Sequence, residues 1–192
     1  VRTLRVTLFV ALGALALSSC TLVSPNATPV QIPKSSVRFE LLKPTIPGTN
    51  NARVRFITQP VYIVDATGQL SASSRIVPTP PALATVVEQL LLGPSAIEHS
   101  VGDSSALPKS LVLVSAHIHR GVGYLNFATS LNSLSPSKQL LAVGQLVLTA
   151  YDVGATKGIV IEVAGVVQHL LTPSGKRLTL VTQGDFLSLL AS

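Results

Sequence analysis

The hydrophobic pattern contains one segment punctuated at both ends, Thr79 to Pro94. Leu83, Val86, Val87, Leu90 and Leu91 recur at i, i+3, i+4, i+7 and i+8, which lays a single apolar stripe along a helix. Thr79 is placed to N-cap that helix, and Pro80 fits its first turn, where a missing N–H costs nothing. Gly93 suits the left-handed conformation that stops a helix, and Pro94 cannot continue it. A stripe this wide needs a sheet or a second helix to cover it.

Short β-rich segments flank the stripe. Arg53 to Val64 alternates weakly and then becomes the buried run Val61-Tyr62-Ile63-Val64. Asp65-Ala66-Thr67-Gly68 is a turn, and Leu70 to Val77 returns as a strand. Residues 95–110, rich in Ser, Gly, Asp and Pro, are expected as a connection. Leu111 to His119 alternates most clearly. Val112, Val114, Ala116 and Ile118 fall on one face; Leu111, Leu113, Ser115, His117 and His119 fall on the other. Arg120-Gly121 makes a hairpin turn and Val122 to Phe127 pairs back.

A second helix opens at Ser135-Pro136, with Leu140, Val143, Gly144, Val147, Ala150 and Tyr151 on one face and Gly154 at its end. A helical glycine costs about 1 kcal/mol, so Gly144 points to a close approach of this helix to the sheet. Ile159 to Val163 is another buried strand; Ala164-Gly165 turns and Val166 to Leu171 returns. Glu88, Gln89, Gln139 and Gln145 fall on the faces expected to be solvated. The order predicts an α+β fold, a mainly antiparallel sheet with two helices packed on one face, βαββαβ-like with extra hairpin segments.

Upstream of this domain the pattern changes. Arg2 and Arg5 precede an apolar run from Val6 to Leu17 that, as a helix, spans about 18 Å, short of the roughly 30 Å hydrocarbon core. It fits the apolar region of a signal peptide. Leu17-Ser18-Ser19-Cys20 follows and looks like a bacterial lipoprotein box: small residues before the thiol that takes the diacylglyceryl group. The chain holds one cysteine, so an intramolecular disulfide is excluded. From Thr21 to Ala52, Pro25, Pro29, Pro33, Pro44 and Pro47 interrupt any apolar period, as in a tether. The expected organisation is a lipoprotein signal peptide at 1–19, a lipidated cysteine and Pro-rich tether at 20–52, and a folded domain at 53–192. Val1, in a chain without methionine, is expected to be a start codon read literally, which points to a bacterium.

Charge narrows the picture further. The net +6 is uneven. Lys34, Arg38, Lys43, Arg53 and Arg55 stand against Glu40 alone between residues 21 and 56, whereas residues 57–192 carry seven groups of each sign. A nucleic-acid interface gathers its basic residues on the folded domain, so no nucleic-acid partner is expected. Aromatics are 4% of the chain, which leaves the core to Val, Leu, Ile and Ala.

The residues from about 55 to 187 resemble the GerMN, or sporulation and spore germination, domain. The resemblance rests on Val61-Tyr62-Ile63-Val64 with its acidic turn, on Arg75-Ile76-Val77-Pro78, and most tellingly on Leu91-Leu92-Gly93-Pro94. It continues through Leu107-Pro108, Gly121-Val122 leading into Leu125-Asn126-Phe127, the helix with Gln145-Leu146-Val147, and Asp185-Phe186. Two positions depart from the family pattern: Asn126 stands where Asp is usual, and Ala164-Gly165 replaces an acidic-Gly turn. The resemblance implies a secreted or lipid-anchored envelope module with no established catalytic activity, linked in spore formers to germination and envelope assembly.

A search for chemistry returns little. No Gly-x-Ser-x-Gly elbow, P-loop, His-Glu-x-x-His or dinucleotide loop occurs. His117 and His119, at i and i+2, share a strand face as two metal ligands would, but nothing in the sequence brings a third beside them, and two solvent-side histidines at a hairpin end are the favoured reading. His99 and His169 are expected as loop and edge residues, and Asp65, Gly68, Gly121 and Gly165 as turn residues. No catalytic, metal or cofactor residue is therefore assigned; the assigned site is lipidation at Cys20, which places the protein on the extracytoplasmic face of the cell membrane. The expected function is a lipid-anchored envelope binding or assembly module without catalytic activity, whose partner is an envelope protein or cell-wall material. The alternatives are a membrane-anchored enzyme acting on cell-wall material and a ligand-capture lipoprotein.

Overall fold

The structure is a computed structural model that describes residues 54–191. The expected signal peptide, Cys20 and the expected tether lie outside the described residues.

Strands β1 (Phe56–Val64) and β2 (Leu70–Pro78) pair antiparallel along their whole length. Asp65 fixes their turn: its Oδ1 accepts from the backbone N–H groups of Thr67 (2.8 Å) and Gln69 (3.0 Å) and from the Thr67 hydroxyl (2.6 Å). These bonds hold the Asp65 carboxyl below its ordinary pKa, the Thr67 hydroxyl contributing most.

Helix α1 (Leu83–Leu91) buries Leu83, Val86, Val87 and Leu90 along the expected stripe, and Gly93 takes φ +77° beyond its end. It starts later than the pattern predicts. Thr79 does not cap it: the bond from Thr79 N to Arg55 O (2.9 Å) carries the β1–β2 ladder past Pro78 and keeps Thr79 at the end of that ladder, three residues before the N-cap position. Ala82 occupies the N-cap position without a side-chain bond. The expected connection at 95–110 contains a further short helix, α2 (Ala96–Ser100), built on a capping box between Ser95 and Glu98.

Strands β3 (Leu113–His119) and β4 (Val122–Phe127) form a hairpin across Arg120 and Gly121, both at positive φ, the turn whose twist matches the strands. The face assignment for β3 needs correction. The register shifts between Leu113 and Ser115, so one extra residue flips the pleat. Leu111 is buried and Leu113, Ala116 and Ile118 pack on the core, while Val112 and Val114 are exposed.

Helix α3 (Pro136–Val153) then crosses to β5 (Gly158–Val163), which lies parallel to β4. The strand order is β3-β4-β5-β6, with β6 (Val166–Val167) antiparallel to β5. The return strand expected over 166–171 is divided. β6 has two residues, and Leu170–Leu171 (β7) pairs instead with Arg177–Leu178 (β8). The fold is α+β, with four of its five strand pairings antiparallel.

Residues Ala142 to Ala150 of α3 are buried around the whole helix, which makes α3 the central element and not a surface helix with one stripe. Gln139 and Gln145, expected on a solvated face, are therefore in the interior, 5% and 0% exposed. Glu88 is exposed and Gln89 half-buried. A Cβ on Gly144 would lie 2.7 Å from Leu70 Cδ1 and 3.3 Å from Phe186 Cδ1, so the predicted close approach is to β2 and to the C-terminal segment. The core is Val, Leu, Ile and Ala with Phe127 and Phe186 as its aromatic members.

Candidate functional site

Arg75 of β2 and Glu98 of α2 join two segments far apart in the chain. The guanidinium meets the carboxylate in a two-pronged pair, Nη1 to Oε1 and Nη2 to Oε2, both 2.9 Å. Nη2 also donates to Gly93 O at 3.2 Å. The Ser73 hydroxyl donates to Glu98 Oε1, and Ser95 N donates to Oε2 at 2.5 Å. Arg75 above all, with Ser73 and Ser95, holds the Glu98 carboxyl down at about 2. This brace clamps the Gly93 turn and α2 onto β2.

Beside the brace opens a cleft of about 440 Å³ lined by Leu91 to Pro94, His99, Ser104, Ser105, Leu107 and Lys109. The residues that carry most of the sequence resemblance, Leu91-Leu92-Gly93-Pro94, thus form one wall, and Leu107 contributes to another. The Ser105 hydroxyl faces inward to Gln145 Oε1 at 3.4 Å and accepts from Leu107 N at 3.2 Å. His99 Nδ1 lies 3.3 Å from Asp103 O.

The strand edges are treated unequally. On the outer edge of β1, Tyr62 N donates to Thr149 Oγ1 (3.0 Å), Tyr62 O accepts from Gln145 Nε2 (2.8 Å), and Val64 exchanges two bonds with Ser104 (2.9 and 2.7 Å). Pro60, next in the period of two, has no N–H to offer. On β5, Ile159 exchanges bonds with Val181 (2.7 and 3.1 Å) and Ile161 O accepts from Gln168 N (2.8 Å). The edge of β3 is offset by its bulge between Leu113 and Ser115, and beyond it no backbone group among the described residues bonds to the outer side of Ala116 or Ile118.

The outer edge of β2 is uncovered over a longer stretch. Tyr62 and Val64 face away from β2, so their partners Ala72 and Leu70, and then Ser74 and Ile76, face away from β1. Leu70 O accepts from Ala191 N at 2.9 Å. From Ala72 to Ile76, no backbone group among the described residues bonds to this edge, although the Ser74 carbonyl accepts from Arg75 Nη1 at 3.0 Å. Ile76, on that edge, is 73% exposed.

His117 and His119 do share one exposed face, and His117 stacks on Tyr124 with ring centres 5.2 Å apart. The described residues bring together no group of three His, Cys, Asp or Glu able to hold a metal ion. His169 is exposed, next to β7. Burial, then the nearby Asp152 charge, pushes the Tyr62 phenol up. Asp65 and Glu98 move down and Tyr62 up, each away from the neutral range where general acid–base groups work. Among the described residues, no helix is long and apolar enough to cross a membrane.

A family model described as Germane: Sporulation and spore germination matches residues 60–168. The chain belongs to this family. The tandem GerMN domains of the sporulation protein GerM from Bacillus subtilis have a similar fold, with a TM-score of 0.53 at 14% identity over 68% of this chain. The match covers 48% of that structure, so the chain spans about half its length. The first GerMN domain of the same protein matches with a TM-score of 0.49 at 14% identity, over 67% of this chain and 99% of that one. No curated protein matches the chain.

Within this germination-family domain, the sequence reading missed Glu98 and put Gln145, which is buried, on a solvated face. Ser95-Ala96-Ile97-Glu98 is a capping-box pattern, and it signals both α2 and a carboxylate held at a helix start. Gln145 carries no local signal. It sits within an apolar run, and only the packing of β1 against α3 shows what it bonds.

Proposed function

We propose that this is a lipid-anchored envelope module, attached to the extracytoplasmic face of the membrane through Cys20, whose domain at 53–192 binds an envelope protein or cell-wall partner without turnover. The observation that carries the binding role is the outer edge of β2 from Ala72 to Ile76, which no backbone group covers among the described residues and where the Ser74 carbonyl alone is bonded, by the neighbouring Arg75 side chain. An edge of this kind accepts an extended segment of another chain by strand addition. Family membership supports an envelope role related to sporulation or germination, and the charge balance of the domain gives no reason to expect nucleic acid.

The anchor rests on the leader ending at Leu17-Ser18-Ser19-Cys20. Two acyl chains at about 0.8 kcal/mol per buried CH₂ hold a protein stably where one does not. Replacing Cys20 by Ser should release the protein from membranes or leave it unprocessed, and an intact mass without added lipid would overturn this assignment.

The binding role is tested by Ser74→Pro. Proline removes an N–H that points away from β1 and leaves the β1–β2 ladder intact. The variant should melt within a few degrees of the wild type yet lose the partner that the wild type recovers from crosslinked envelopes. Equal recovery by a folded Ser74→Pro variant would sink the strand-addition reading. Wall-hydrolysing or zinc-dependent turnover abolished by replacing His117 would favour an anchored enzyme instead.

A further inference from the structure

We infer that the cleft beside the Arg75–Glu98 brace binds a small carboxylate that carries an aliphatic side chain, the chemistry of a peptide C-terminus. This site is separate from the β2 edge and goes beyond the binding role proposed above. Its volume, about 440 Å³, falls within the range of small-molecule pockets. Leu91, Leu92, Pro94 and Leu107 supply apolar wall, while the ionisable groups that line it, His99 and Lys109, are both basic.

The two nearby carboxylates do not cancel that charge. Both oxygens of Glu98 are held by Arg75, with Ser73 and Ser95 completing the set. Asp103 is not among the residues lining the cleft. Lys109 is exposed and forms no ion pair among the described residues. A basic Lys109 beside a hollow that is apolar along Leu91, Leu92, Pro94 and Leu107 and polar along His99, Ser104 and Ser105 selects a ligand with one negative and one apolar end. A ligand of that kind has two sources in an envelope, the C-terminus of a protein and the peptide stem of the cell wall.

Four probes separate these sources: acetyl-Ala-Leu as the free acid, the same dipeptide as the C-terminal amide, acetyl-D-Ala-D-Ala, and acetyl-L-Ala-L-Ala. Each is titrated into the full ¹⁵N-labelled chain in detergent micelles. The free acids should shift the backbone amides of Gly93, Ser104 and Ser105, and the amide probe should not. Preference for the D-dipeptide over its L counterpart assigns the site to wall stems; preference for the L-forms assigns it to protein termini. Lys109→Ala should weaken binding tenfold or more and Lys109→Arg should restore it, with both variants melting like the wild type because Lys109 is exposed. Equal shifts from acid and amide, no shift at millimolar probe, or full binding by Lys109→Ala would overturn the inference. Ser74→Pro keeps the Ser74 carbonyl that Arg75 Nη1 bonds, and Lys109→Ala lies off the β2 edge, so a Ser74→Pro variant that still binds the free acids makes loss of one activity distinguishable from loss of the other.

Discussion

Asn126 Oδ1 accepts a hydrogen bond from Gly165 N at 3.1 Å. The two positions that depart from the family pattern are thus bonded to each other, tying the end of β4 to the β5–β6 turn. An acceptor oxygen is what this contact needs, and Asn supplies it without charge. The register also puts Asn126 directly across from Glu162 on β5. A carboxylate at 126 would stand opposite another carboxylate, and like charges placed so are destabilising.

Asn126→Asp should therefore fold and keep the turn, but lose roughly 0.2–1 kcal/mol at neutral pH. The loss should shrink as the pH falls through the carboxylate range and one of the facing groups protonates. Asn126→Leu, which removes the acceptor, should lose about 1 kcal/mol at every pH. Thermal melts at pH 7 and pH 4 distinguish the two, and an Asp variant more stable than the wild type at pH 7 would contradict the cross-strand argument.

Glu98 gives the domain an acid-sensitive contact. Its folded pKa, about 2, lies below its ordinary 4.5, so the native state favours the charged form. A depressed pKa contributes stability that is present in full above 4.5 and is lost as the pH falls toward 2. Glu98→Gln should melt a few degrees below the wild type at pH 7. The gap should narrow below pH 4.5 and close near pH 2. A gap independent of pH would mean that the Arg75 pair contributes through packing alone.

Leu90 tests the apolar stripe. It is 1% exposed and lies in the core with Val86, Val87 and Leu125. Leu90→Asp leaves a charge without a partner there, a cost of several kcal/mol against a total stability of roughly 5–15 kcal/mol. The variant should lack a cooperative melt. A melt within a few degrees of the wild type would mean that α1 does not pack as described.

The elements legible in the sequence are those set by local chemistry. Gly93 and Gly154 stop the helices they were expected to stop, and Arg120-Gly121 turns the hairpin it was expected to turn. The apolar stripe of α1 was legible because one face of it is wet. Three features were not. The bulge after Leu113 inverts a face without altering the alternation of residue types. Thr79 resembles a cap, but a ladder bond to Arg55, twenty-four residues earlier, holds it at the end of the ladder, three residues short of the N-cap. Gln145 looks like a solvated residue until α3 is seen to be covered all round. The cleft combines residues from 91 to 109, so its apolar wall was visible as a motif, whereas its shape depends on a brace to β2.

Gln145 and Thr149 lie one helical turn apart on α3 and together serve the two backbone groups of Tyr62. Gln145 does more, because its Oε1 also accepts from Ala106 N at 2.8 Å. A helix has here taken the position of a neighbouring strand, with two side chains replacing one rung of a ladder. If that is their role, Gln145→Leu leaves Tyr62 O and Ala106 N buried without partners, at about 1–3 kcal/mol each. Thr149→Val, nearly equal in shape, leaves Tyr62 N alone and should cost about 1–3 kcal/mol. Because both act on one residue of β1, the double variant should depart from additivity by 0.5 kcal/mol or more. Urea melts of the four proteins in the cycle measure this directly. If Thr149→Val is neutral and the pair is additive, α3 holds β1 by apolar packing and the edge needs no polar seal.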